Sequence, residues 1–131
     1  MSEHMELEDF KSVIKPLIYE CLSSAKDSHD IAFGDNREID DLLAGIFLND
    51  ATSHINSAKI FYYQNPDFGH QEFDEFFNRY DIYRGEILDN IRTKHSHQWT
   101  DIEYRSFLEA AKPLADLIDL KIDHFYKEDL D

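Results

Sequence analysis

Apolar residues recur at intervals of three and four along four long stretches of this chain, and nowhere do they alternate as a half-buried strand requires. That pattern restricts the chain to helices, each burying one stripe. In the first stretch, from Leu7 to Ile31, the stripe is Phe10, Val13, Ile14, Leu17, Ile18, Cys21, Leu22 and Ala25. Pro16 lies within it and predicts a kink or break near Lys15, because proline gives no N–H and its ring crowds the preceding turn. Gly34-Asp35-Asn36 then punctuates the chain, and Asp35 followed by Glu38 has the capping-box spacing that starts a second helix. Its stripe is Ile39, Leu42, Leu43, Ile46, Phe47, Ala51, Ile55, Ala58, Phe61 and Tyr62, ending by Gln64 ahead of the turn Asn65-Pro66-Asp67-Phe68-Gly69. The third helix carries Phe73, Phe76, Phe77, Tyr80, Tyr83, Ile87, Leu88 and Ile91. A polar stretch from Thr93 to Trp99 follows, and Thr100 with Glu103 forms a second capping box opening the fourth helix. That helix uses Tyr104, Phe107, Leu108, Ala111, Leu114, Ala115, Ile118, Ile122 and Phe125, with Pro113 interrupting it as Pro16 interrupts the first.

Helices of about 20–25 residues, at 1.5 Å rise, are roughly 30–38 Å long. Short connections make them run antiparallel. The expectation is therefore all-α: an antiparallel four-helix bundle forming a single domain over residues 1–131, with five helices if the first or last breaks at its proline. A chain of 131 residues buries enough surface for a core without disulfides or a structural metal. Aromatics at 14% argue against a disordered chain.

Charge narrows the function classes. The 28 acidic and 13 basic side chains leave a net −15 with histidines neutral. Nucleic-acid affinity comes from Lys and Arg displacing counterions, so this balance opposes direct nucleic-acid binding, and anionic membrane surfaces are disfavoured for the same reason. The field suits a basic protein partner; solubility alone accounts for it equally well. No apolar run is long enough for a membrane span, and the acidic N-terminus lacks the apolar core of a secretory signal. The single cysteine, Cys21, forms no internal disulfide, which fits a reducing compartment, the cytoplasm.

Phosphate-binding glycine loops, dinucleotide fingerprints, His-Glu-x-x-His and Cys-x-x-Cys are all absent. Cys21 falls on the apolar stripe of the first helix, where a thiol is inert. A di-iron bundle needs Glu-x-x-His on two facing helices, and no histidine here has a glutamate three residues before it. Asp67 and His70 come nearest, in a loop. Asp50 with His54, and His124 with Glu128, lie one helical turn apart, a spacing that helix-surface hydrogen bonds also explain. The reading assigns no metal site and no cofactor, and keeps Asp50 and His54 as the weakest alternative.

The most specific polar cluster is Arg92-Thr93-Lys94-His95-Ser96-His97-Gln98-Trp99, between the third and fourth helices. Imidazoles beside fixed positive charge can move protons and stabilise a developing phosphorane. Arg92, four intervening residues and His97 together resemble the Arg-x(4–6)-His motif of the HEPN superfamily. Those proteins are small helical bundles, many of them dimeric ribonucleases in toxin–antitoxin and abortive-infection systems. The resemblance implies Arg92 and His97 as the catalytic pair of a metal-independent endoribonuclease, with His97 in the catalytic histidine position, and implies a homodimer. Read without it, Arg92, Lys94, His95 and His97 are cations favoured at the negative end of a helix dipole.

Adjacent rings in a helix cannot all face inward, so some of Phe61-Tyr62-Tyr63, and Trp99, are expected at the surface. Tyr62, Tyr63 and Trp99 are the candidate partner-binding residues, since Tyr and Trp favour interface centres; rings lying under loops would explain them as well. The leading expectation is a non-catalytic interaction protein that binds and neutralises a basic partner such as a nuclease, in the manner of immunity proteins, antitoxins and anti-defence proteins. The HEPN-like ribonuclease is the alternative.

Overall fold

The computed structural model describes residues 5–32, 40–93 and 98–130. It contains four long helices: α1 (Leu7–Ala32), α2 (Asp40–Tyr63), α3 (Gln71–Thr93) and α4 (Gln98–Ile118). A 3-10 turn (Pro66–Phe68) joins α2 to α3, a 3-10 helix (Asp123–Leu130) follows α4, and no strand occurs among the described residues. This is the all-α four-helix bundle expected from the periodicity. Cross-helix contacts fix the antiparallel order. Phe10 near the start of α1 meets Phe61 near the end of α2, and Tyr62 stacks on Phe73 near the start of α3. Lys11 at the start of α1 reaches Asp119 just past the end of α4.

The helices pair as two hairpins. α1 and α2 pack most closely of all pairs, and small side chains make this possible. Cys21, Ala25, Ser28 and Ala32 are buried on α1, and Ala44, Ala51 and Ala58, seven residues apart, are buried on α2. The Ser28 hydroxyl donates to the Ala44 carbonyl at 2.7 Å, so the backbone of α2 lies within one side chain's reach of α1. α3 and α4 are held apart by rings instead. Phe76, Tyr80 and Tyr83 of α3 all contact Phe107 of α4, with centroids 5.1–5.9 Å apart. The Tyr80 hydroxyl lies 2.7 Å from Thr52 Oγ1 and ties α3 back to α2.

Four expectations are corrected. α1 runs unbroken through Pro16 and α4 through Pro113. Each proline is exposed, as is the residue four back, Ser12 or Glu109, so water can satisfy the freed carbonyl and no break is needed. The fourth helix does not continue to Phe125. It stops at Ile118, where Asp119 adopts a left-handed φ of 60°. Leu120 N–H then donates to the Ala115 carbonyl at 2.9 Å, the long bond of a Schellman cap made with aspartate where glycine is usual. Thr100 opens nothing: it lies inside α4, fully buried, and its hydroxyl has no hydrogen-bond partner among the described residues. Gln98 and Trp99 likewise belong to α4 rather than to a polar connection.

The fourth correction concerns the face of α2. The buried line is Ala44, Leu48, Ala51, Ile55, Ala58 and Tyr62, whereas Leu42, Leu43 and Ile46 are exposed. Both faces of this half-helix are apolar, and the face with alanines at the contact positions is the one that seats against α1. The Asp35–Glu38 capping box lies outside the described residues.

Candidate functional site

Arg92 and His97 are not brought together by anything the structure describes. Arg92 is in the last turn of α3, its side chain 82% exposed and its guanidinium 3.7 Å from Asp89. His97, with Lys94 and His95, lies outside the described residues. The three aromatic candidates separate by burial. Tyr62 is in the core, where its hydroxyl accepts from the His70 N–H at 2.9 Å and donates to the His70 carbonyl at 3.1 Å. It clamps the α2–α3 turn and presents nothing to a partner. Tyr63 and Trp99 are exposed.

Asp50 is exposed and His54 half-buried, and among the described residues no group of three or more His, Cys, Asp or Glu is placed to hold a metal. Asp67 sits in the 3-10 turn, while His70 Nδ1 accepts the Glu72 N–H at 3.2 Å. His124 Nε2 lies 3.1 Å from the Tyr19 hydroxyl. Cys21 is fully buried, and burial pushes its thiol far above the ordinary range, so it is no nucleophile. No helix among the described residues is long and apolar enough to cross a membrane.

Two arrangements were not visible in the sequence. The first joins three helices at one end of the bundle. His29 of α1 stacks on Tyr104 of α4, with centroids 4.2 Å apart and planes 10° from parallel. Its Nδ1 is 3.1 Å from the Tyr83 hydroxyl and its Nε2 is 2.9 Å from Asp101 Oδ1. Burial holds the Tyr83 phenol well above its ordinary pKa of 10, so it stays protonated and can donate to Nδ1. Nε2–H then donates to the carboxylate, so both ring nitrogens of His29 are engaged. An imidazole engaged at both nitrogens ties α1 to α3 and α4, and His29, Asp101 and Tyr104 also line an open cleft of about 360 Å³. The residues involved are 54 and 72 positions apart, a separation no local motif reports.

The second lies at the opposite end. Leu7 and Phe10 from α1, Phe68 and Phe73 around the α2–α3 turn, and Leu117 and Ile118 from the end of α4 line an apolar cleft of about 130 Å³. A cavity of about 150 Å³ accepts a benzene ring, so this one takes a single side chain of moderate size. Aromatic packing builds its floor: Phe10 lies 4.7 Å from Phe68 and 5.9 Å from Phe73 between centroids. Gly69 matters here, because a Cβ at that position would sit 3.2 Å from the Pro66 carbonyl and 3.5 Å from the Tyr62 hydroxyl.

Each stretch of chain that lines the cleft also carries carboxylates beside the lining residues. Glu8 and Asp9 adjoin Leu7 and Phe10, Asp67 and Glu72 flank the turn, and Asp116 and Asp119 bracket Leu117 and Ile118. The one lysine in the lining, Lys11, is neutralised by Asp119 at 2.7 Å and Glu8 at 3.6 Å. The lining itself carries no carboxylate; Glu8 and Asp119 reach it through Lys11, and the other acids are its neighbours in sequence. No known protein family's profile matches the chain, and neither a curated protein nor a solved structure matches it.

Proposed function

We propose that this chain is an interaction protein that docks a basic segment of another protein onto this apolar cleft and the acidic segments beside it, and that it neutralises that partner, in the manner of an immunity protein, antitoxin or anti-defence protein acting on a nuclease. The observation that carries this reading is the cleft formed by Leu7, Phe10, Phe68 and Phe73, with carboxylates adjoining every stretch that lines it. An apolar anchor from the partner fills the socket, while its flanking Lys and Arg meet Glu8, Asp9, Asp67 and Asp116. Carboxylates on such a surface occupy the groove in which a nuclease would hold phosphates.

The test is a titration with synthetic Lys/Arg-rich peptides, with and without one central Leu or Phe, alongside inhibition assays on a panel of basic nucleases. The expected result is binding that requires the apolar residue and weakens steeply with salt, as the Debye length falls from about 30 Å at 0.01 M to about 8 Å at 0.15 M. Asp9→Lys with Asp116→Lys should weaken it at least about tenfold, equivalent to 1.4 kcal/mol. Failure to bind any such peptide or inhibit any nuclease at low salt overturns the reading.

The ribonuclease alternative draws on one observation: Arg92 is exposed at the end of α3, one connection away from His97. It requires RNA cleavage by the wild-type protein that His97→Ala abolishes.

A further inference from the structure

The outward face of α2 does not have the chemistry of a solvent face. Leu42, Ile46, Asn49, Ser53, Asn56, Ile60 and Tyr63 follow one another at alternating steps of four and three, on the side of the helix opposite its buried line. All seven are exposed; Leu42 is 78% accessible, Ile46 48%, Ile60 61% and Tyr63 63%. Between Leu42 and Gln64 the only charged side chains are Asp50 and Lys59, in a molecule whose net charge is −15. Lys59 is turned toward α3, where it lies 3.4 Å from Asp81 and 5.7 Å from the centre of the Phe77 ring. The other three helices carry exposed carboxylates, such as Glu20 and Asp27 on α1, Asp74 and Asp81 on α3, and Glu109 and Asp116 on α4.

We propose that this face is a dimer seam, on which α2 of a second copy packs antiparallel about a two-fold axis at Ser53. The order of residues is self-complementary under that operation. Leu42 meets Tyr63 of the second copy, Ile46 meets Ile60, Asn49 meets Asn56 and Ser53 meets Ser53. Apolar side chains cover apolar ones at both ends, and amides and hydroxyls meet in the middle, as an isologous interface demands. The alternating four-three spacing is that of a helix seam that packs by knobs into holes. Antiparallel orientation opposes the two helix dipoles and sets Leu42 against the larger Tyr63; a parallel pair would align the dipoles and place two Tyr63 rings together.

Electrostatics permits a copy of this chain here, and the self-complementary residue order selects it over other occupants. Two molecules of charge −15 repel wherever their carboxylates face one another, and α2 offers the face on which they can approach without that cost. The seam is about 32 Å long at 1.5 Å per residue. One helix pair of that length buries on the order of 1,000 Å² in all, near the lower edge of stable interfaces, so the dimer is concentration-dependent. Screening should strengthen it, the opposite of the salt response expected for a basic partner at the cleft, so the two proposals fail independently.

Sedimentation equilibrium of the full chain tests the seam. The expected result is a reversible shift from the 15.5 kDa chain mass toward twice that value as concentration rises, at lower concentration in high salt. Ile46→Glu with Ile60→Glu should abolish the shift, and Ile82→Glu on the exposed side of α3 should leave it unchanged. Cysteine scanning fixes the geometry, since Cys21 is buried and does not compete. Ser53→Cys should cross-link to itself on oxidation. Ile46→Cys should cross-link to Ile60→Cys and not to itself. A species of single-chain mass at every concentration in high salt, an Ile82→Glu variant that dissociates as readily as the α2 variant, or self-cross-linking of Ile46→Cys would overturn the proposal.

Discussion

The two hairpins of this bundle solve the same packing problem with opposite materials. α1 and α2 meet through Cys21, Ala25, Ser28, Ala44, Ala51 and Ala58, side chains so small that a serine hydroxyl on one helix bonds a backbone carbonyl on the other. α3 and α4 meet through Phe76, Tyr80, Tyr83 and Phe107, whose rings fill a much wider gap. Stability in the first hairpin depends on having nothing larger at the contact. In the second it depends on having nothing smaller. Both follow from the close packing of protein interiors, where one methylene too many or too few is felt.

That contrast can be broken from either side. The largest effect is expected from Phe107→Ala, which removes the ring shared by three aromatic neighbours; chemical denaturation should show a loss of about 3–5 kcal/mol. On the other hairpin the matching experiment enlarges a residue at the close contact instead. Ala51→Leu, at a position with no accessible surface, should cost about 1–3 kcal/mol by forcing α1 and α2 apart. If Ala51→Leu were neutral while Phe107→Ala was not, the close seating of α1 on α2 would not be a constraint.

The smallest effect concerns the clasp that holds the hairpins together at the cleft end. Asp119, in its left-handed conformation, accepts a hydrogen bond from Lys11, which holds its carboxyl below the ordinary value of 3.8. The same bond raises the Lys11 ammonium above 10.5. The carboxylate's contribution is present above pH 3.8 and lost as pH falls through its lowered folded value. The lysine's is present below pH 10.5 and lost as pH rises through its raised folded value. Lys11→Met keeps the side-chain stem, so its melting temperature should fall below wild type between those limits and converge with it at both extremes. A difference that does not vary with pH would mean that Lys11 acts only through its stem.

Much of the fold was legible. The apolar lines of α1, α3 and α4 were readable from Phe10 to Ala25, from Phe73 to Ile87 and from Tyr104 to Ile118, although Val13 and Leu88, expected in the first two, are exposed. α2 has two apolar faces, and periodicity alone selected the wrong one over its first half: Leu42, Leu43 and Ile46 in place of Ala44 and Leu48. The candidate site was less legible still. Leu7, Phe68 and Leu117 are far apart in the chain, and nothing local marks them as walls of one cleft. His29 attracted no notice because neither of its polar partners lies near it in sequence.

By itself, then, the amino-acid sequence determined that this chain forms four helices, where the α2–α3 turn falls, and how negative the molecule is. These are local or additive properties, set by residue spacing and by composition. Tertiary structure alone decided which face of α2 is buried, that α4 ends at Ile118 rather than running on to Phe125, and that an apolar socket opens at one end. Those outcomes depend on shape fit between segments distant in sequence: alanines seat against α1 more closely than leucines can, and a cleft exists only where three helix ends converge.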